Sequence, residues 1–124
     1  MGRLVFSFRN ALRGVLYVFE NENNARIHLL FAIFAFVLGL VLQISGPELA
    51  AIFFAVVVVF VAEITNTAVE KTLDLVEPNH HPQVKLIKDM AAGGVLVAAV
   101  AALIIGVVIF TPHIVNLWAQ YLLF

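Results

Sequence analysis

The chain alternates between long uncharged apolar stretches and short polar junctions. Leu29 to Pro47 holds nineteen residues without a charge, Leu49 to Ala62 fourteen, and Met90 to Pro112 twenty-three. A bilayer core takes about 20 apolar residues of helix. The first and third runs reach that length alone, and the second does so once its helix continues past Glu63. The pattern predicts three transmembrane helices, over residues 28–46, 49–76 and 89–111. Ahead of them, residues 3–19 predict a helix lying on the membrane. On a helical wheel Leu4, Val5, Phe8, Ala11, Leu12, Val15, Leu16, Val18 and Phe19 fill one arc. Arg3, Ser7, Arg9, Asn10, Arg13, Gly14 and Tyr17 fill the other, with Phe6 out of place. A basic face opposite an apolar one suits anionic lipid, with Arg9 and Arg13 towards the headgroups. Packing against the rest of the protein is the other reading of this helix.

The junctions fit the same frame. "ENENNARIH", Glu20 to His28, is a polar lead-in to the first span, and "SGPE" is a tight turn. From Glu48 to Val76 a helix is roughly 40 Å long, so it projects beyond the hydrocarbon. Pro78 ends it by pushing the preceding residue out of helical backbone. "HHPQVKLIKDM" leads into the third span, with Lys88 and Asp89 at the start of that helix. There Asp89 could cap the helix and Lys88 could snorkel. Ala91, Ala92, Gly93 and Gly94 permit close helix packing. After Pro112 the tail to Phe124 carries Trp118 and Tyr121, residues suited to an interface anchor. Residues 1–124 read as one all-α membrane domain.

Composition agrees: 63% of residues are hydrophobic, against about 45–50% in a soluble domain. A net charge of −1 with no basic patch excludes a nucleic-acid partner. The absence of cysteine excludes disulfides and thiolate chemistry. Arg9 and Arg13 interrupt the run that a cleavable signal peptide would need. Arg3, Arg9, Arg13 and Arg26 precede the first span, and Lys71, Lys85 and Lys88 lie between the second and third. That bias predicts a plasma-membrane protein with a cytoplasmic N-terminus and an external C-terminus. Every acid but Glu48 then falls on the cytoplasmic side.

The candidate chemistry is on the second span. Glu63, Asn66, Glu70 and Asp74 share a stripe about 80° wide, opposite Ile64, Ala68 and Leu75. A charge at the bilayer centre costs roughly 2.5–3.5 kcal/mol even on mild scales. The stripe must therefore face the protein interior or the headgroup layer, and its three acids call for a cation. Glu63 and Glu70 stand two turns apart, roughly 10 Å, too far for one metal to bridge, so they have different tasks. Mg²⁺ at Glu70 needs phosphate oxygens or a second carboxylate, for which Glu22, Glu20 and Asp89 are candidates. The plainer alternative is a solvated acidic stripe paired with Arg26, Lys71, Lys85 and Lys88. His28, His80 and His81 lack zinc-site spacing and read as loop or junction residues. Neither a phosphate loop nor a soluble-kinase signature is present.

The segment "EITNTAVEKTLDLVEPNHHPQVKLIKDMAAGGVLVAA" resembles the small integral-membrane lipid kinases of bacteria, the diacylglycerol kinase and undecaprenol kinase family. The family pattern E-x-x-N-[ST]-A-x-E-x-x-x-D followed by K-D-M is matched by Glu63, Asn66, Thr67, Ala68, Glu70, Asp74, Lys88, Asp89 and Met90. Upstream, Glu22, Asn24, Arg26, Ile27 and His28 match its junction, so the likeness runs from about Ser7 to Phe110. It implies a homotrimer of three-span subunits with an N-terminal surface helix. It also implies phosphorylation of a lipid hydroxyl by ATP with Mg²⁺ at the cytoplasmic interface. By position, Glu22 and Glu70 resemble the metal ligands and Glu63 the catalytic base. Asn66, Asp74, His81, Lys88 and Asp89 resemble nucleotide-binding or site-organising residues. His28 and Ala11 stand where the diacylglycerol branch carries an acid and a serine, which makes the chain more similar to the undecaprenol kinase branch of Gram-positive bacteria. Diacylglycerol is the alternative substrate. The rival class is a small oligomeric transporter with Glu63 as an ion or proton site. Such a carboxylate belongs near mid-bilayer, whereas these acids cluster at the cytoplasmic end. A structural or regulatory membrane subunit, using no ATP, is the third reading.

Overall fold

The computed structural model describes residues 2–122. Met1, Leu123 and Phe124, the ends of the expected domain and tail, lie outside the described residues. The chain forms four helices: α1 Gly2–Asn21, α2 Asn23–Val41, α3 Gly46–Val76 and α4 Pro82–Leu122. The last three are long and apolar enough to cross a membrane.

Local chemistry explains the breaks. Glu22 adopts extended backbone between α1 and α2. The last carbonyls of α1 would be unpaired there. Arg26 Nε donates to Phe19 O at 2.8 Å, Arg26 Nη2 donates to Glu20 O, and Asn21 Nδ2 donates to Tyr17 O at 2.8 Å. The polar junction is thus largely helical, and α2 begins five residues before the expected start at residue 28. It also ends earlier, at Val41, in a reversal where Ile44 N bonds Gly39 O at 3.1 Å and Gln43 N bonds Leu40 O at 3.2 Å. This pattern needs a left-handed residue just past the helix, and Gln43 takes that conformation with φ 52°. Gly39 gives the reversal room, since a Cβ there would lie 2.9 Å from Ile44 Cδ1. Ser45 and Glu48 then form a reciprocal capping box that starts α3.

α4 differs most from the sequence expectation. It starts at Pro82, where a missing N–H costs nothing, so Lys88 and Asp89 lie within the helix rather than at its start. It also runs through Pro112 to Leu122. In hydrocarbon, backbone polar groups must be satisfied within the chain, so a proline is accommodated rather than used as a stop. Thr111 Oγ1, just before it, donates to Val107 O at 2.6 Å.

The core is thin and made of small side chains. Ala25, Ala32, Ile52, Ala55, Val59, Val95 and Ile109 are buried where α3 packs along α2 and, more extensively, along α4. The C-terminal end of α1 packs on α2 and α3, with Val18 buried and Phe19 edge-on to Phe60 at 5.2 Å. Phe31, Phe34, Leu103 and Val108 are exposed, the condition of side chains that lipid covers. Gly93 and Gly94 meet nothing of this chain within 4 Å of where a Cβ would stand. The close packing expected of that small-residue run is therefore not made within the chain.

Candidate active site

The acidic stripe lies along α3 as its periodicity requires, and neighbouring helices bring partners to it. Glu63 is 2% exposed, and Thr67, one turn on, is buried too. Asn66 and Glu70 are half-buried, and Asn66 Nδ2 donates to Glu70 Oε1 at 3.4 Å. Asp74 is exposed and bonds Lys88 Nζ of α4 at 2.5 Å. Lys88, which the sequence left between a lipid-facing and a phosphate-facing role, here ties α4 to the stripe.

Antiparallel packing of α2 supplies the other wall. His28 Nε2 stands 3.2 Å from Glu63 Oε1. The approach is off the angle a hydrogen bond requires, so Glu63 Oε1 and Asn66 Oδ1 remain buried without a hydrogen-bond partner. Orphaned buried oxygens are costly, and two in one cleft mark a place for a donor from outside the chain. Glu22, half-buried at the start of α2, makes no capping hydrogen bond with its side chain. Both Glu22 and Glu70 lie within electrostatic reach of Glu63. Hard carboxylate oxygens of this kind fit Mg²⁺, which takes one or two carboxylates and completes its shell with water and phosphate. Among the described residues no group of three or more His, Cys, Asp or Glu is placed to hold a metal, so phosphate would have to complete the shell.

Two cavities meet at this point. A cleft of about 330 Å³ has the polar groups of Asn24, His28, Glu63 and Asn66 on one wall, and is otherwise lined by Ile27 and by Ala92, Val95 and Leu96 of α4. An apolar groove of about 540 Å³ runs between α2, α3 and α4 from His28 and Phe60 towards Phe110 and Ile114. His28 and Ala99 line both.

The remaining predicted residues are dispersed. Asp89 pairs with Lys85, one turn back on its own helix, at 2.6 Å, and both are exposed. It therefore neither caps a helix nor joins Glu70. His81 is exposed at the entry to α4, where its Nδ1 accepts from Gln83 N at 3.2 Å. Arg9 and Arg13 are exposed on α1, Arg9 lying 5.6 Å from the Phe6 ring centroid. Glu20 contributes a carbonyl to the junction.

Sequence reasoning passed over His28 and Asn24 as site residues. A signal was available for His28. It is the last polar residue before the first uncharged run, and Glu63 is the first after the second run. Antiparallel spans put those two borders at one membrane depth. The contact of His113 with Glu48, at 3.1 Å from α4 to α3, had no such signal.

A family model described as prokaryotic diacylglycerol kinase matches residues 9–110. The chain is 38% identical over 114 residues to an undecaprenol kinase of Bacillus subtilis, covering 92% of this chain and 93% of that protein. It is 36% identical over 115 residues to a diacylglycerol kinase of Synechocystis sp., covering 92% of this chain and 66% of that protein.

Proposed function

The chain belongs to the prokaryotic diacylglycerol kinase family, and from that premise we propose that it transfers the γ-phosphate of ATP, with Mg²⁺, to the hydroxyl of undecaprenol at the cytoplasmic face of the plasma membrane. The observation that carries this reading is the carboxylate of Glu63. It is buried, one of its oxygens lacks a donor, and it lines a cleft that shares His28 and Ala99 with an apolar groove. A lipid alcohol brings a hydroxyl donor and a hydrocarbon tail together. His28 and Ala11, and the near full-length correspondence with the B. subtilis relative, support the polyprenol. The family description and the Synechocystis relative support diacylglycerol as the second reading. The matched family is one of kinases, which leaves the transporter reading without support.

Glu63 accepts the hydroxyl proton as the lipid oxygen bonds to the γ-phosphorus and the bond to the departing ADP oxygen breaks. Positioning and charge neutralisation carry most of such a transfer. Glu22 and Glu70 are the residues to hold Mg²⁺, which when bound neutralises charge on the ATP phosphates. Asn66 orients Glu70 through its amide. Lys88 offers a cation to phosphate and exchanges Asp74 for it, while His81 and Asp89 serve the cytoplasmic approach of the nucleotide. On this reading α1 is the surface helix, its Arg9 and Arg13 in the headgroup layer, and the subunits form a homotrimer. The N-terminus is cytoplasmic and the C-terminus external.

The test is transfer of labelled phosphate from ATP and Mg²⁺ by purified protein in vesicles carrying either undecaprenol or diacylglycerol. Preferential labelling of undecaprenol is expected. Preference for diacylglycerol would reverse the substrate assignment, and labelling of neither would remove the kinase reading.

A further inference from the structure

Glu63 is enclosed, and enclosure creates a difficulty for any proton it accepts. A proton taken from a substrate hydroxyl must leave before the next turnover, and a residue 2% exposed has little contact with water. One titratable group of α2 faces it. His28 Nε2 lies 3.2 Å from Glu63 Oε1, and the His28 side chain is 25% exposed against 3% for that of Glu63. His28 therefore touches the buried carboxylate while staying partly exposed itself. The wall that α4 gives to this cleft is Ala92, Val95, Leu96 and Ala99, none of which carries a proton. Arg26 of α2 is a permanently protonated guanidinium that accepts no proton, and it is engaged with Phe19 and Glu20 carbonyls. Further along α3, Glu70 is held by the Asn66 amide. Glu22 lies within electrostatic reach of Glu63, but on the proposed reading it is committed with Glu70 to Mg²⁺.

Resting on the kinase reading above, we propose that His28 is a positioning residue that orients Glu63 and relays its proton to the cytoplasmic side. Glu63 takes the proton from the lipid hydroxyl as the new P–O bond forms and ADP departs with the electrons of the old one. The resulting carboxylic acid passes the proton to Nε2 of neutral His28. The imidazolium, momentarily paired with the restored carboxylate, gives one proton to water on its exposed side. The balance is one proton released per phosphate transferred: release from the exposed side leaves His28 as the Nε2–H tautomer, and proton exchange of the ring with water restores the starting tautomer before the next turnover. Because His28 also lines the groove, it stands where a lipid hydroxyl enters the cleft.

The proposal separates His28 from a residue that merely lines a pocket. His28→Gln is expected to lower kcat about a hundredfold, the lower end of what acid–base help contributes, with the KM values for ATP and lipid unchanged. A raised lipid KM with kcat intact would make His28 a lining residue and overturn the relay. In His28→Ala, added imidazole is expected to restore kcat in proportion to its concentration, and no restoration would overturn the relay as well. A third measurement needs neither substrate nor activity. The chain has four histidines, and the ring-nitrogen resonances of one of them are expected to move on Glu63→Gln in bilayers without ATP or lipid alcohol. If no histidine ring responds, the coupling does not exist. This last result is independent of the kinase reading, which fails separately if the wild type labels no lipid.

Discussion

Glu63 and Glu70 occupy one helix face two turns apart, and their surroundings divide the labour. Glu63 is sealed from water and faces an imidazole, while Glu70 is half-buried and holds an amide. On the proposed reading the two substitutions therefore fail differently. Glu63→Gln is expected to cut kcat by roughly 10²–10⁴-fold while nucleotide binding in Mg²⁺ stays near normal. Glu70→Gln is expected to remove Mg²⁺-dependent nucleotide binding itself. Steady-state kinetics beside equilibrium nucleotide binding across a Mg²⁺ series distinguish them. Loss of binding in the first variant, or an unchanged Mg²⁺ series in the second, would exchange or cancel the two roles.

Helix ends carry the next level of argument. The reversal after α2 uses Gln43 in a left-handed conformation, where a side chain costs about 1–2 kcal/mol. Gln43→Gly removes that strain and, less the entropy a glycine adds to the unfolded chain, is expected to stabilise by about 0.5–1 kcal/mol. Thermal unfolding in a fixed detergent reads this, and a lowered midpoint would mean that the Gln43 side chain makes a contact worth more than its strain. At the same end His113 bonds Glu48, which is also held by Ser45, so α4 is tied to α3 beyond Pro112. α1 is anchored through Val18, Phe19 and the Arg26 bonds, while Leu4, Val5 and Phe8 are exposed. If that free half admits lipid, deleting residues 1–14 raises the apparent lipid KM well above any change in the ATP KM. Unchanged lipid kinetics would make it a merely packed or dispensable helix.

At the scale of the molecule, one chain gives an open bundle. α3 packs against both neighbours, yet large apolar side chains cover the outer faces and Gly93 and Gly94 meet nothing. Lipid or further copies must cover those surfaces. The homotrimer implied by the family resemblance is expected to appear as a crosslinked three-copy species in bilayers, tracking activity as detergent dissociates it. A dispersed single copy with full turnover would exclude a composite site.

Charge-free run length and residue spacing determined the all-helical frame, the three apolar spans and the stripe from Glu63 to Asp74, because these depend on local periodicity and on the cost of charge in hydrocarbon. The acid-rich motif carried the family as well. Helix ends were less legible. Junction residues 23–27 joined α2 because Arg26 pairs the α1 carbonyls, and Pro112 failed to stop α4 because an apolar surrounding penalises a broken backbone more than a missing donor. Only the tertiary structure decided partners. Lys88 with Asp74, Arg26 with the α1 terminus, and above all His28 with Glu63 follow from how the helices are rotated and staggered. That relation is fixed by the sum of many small apolar contacts along α2, α3 and α4, which no single spacing in the sequence records.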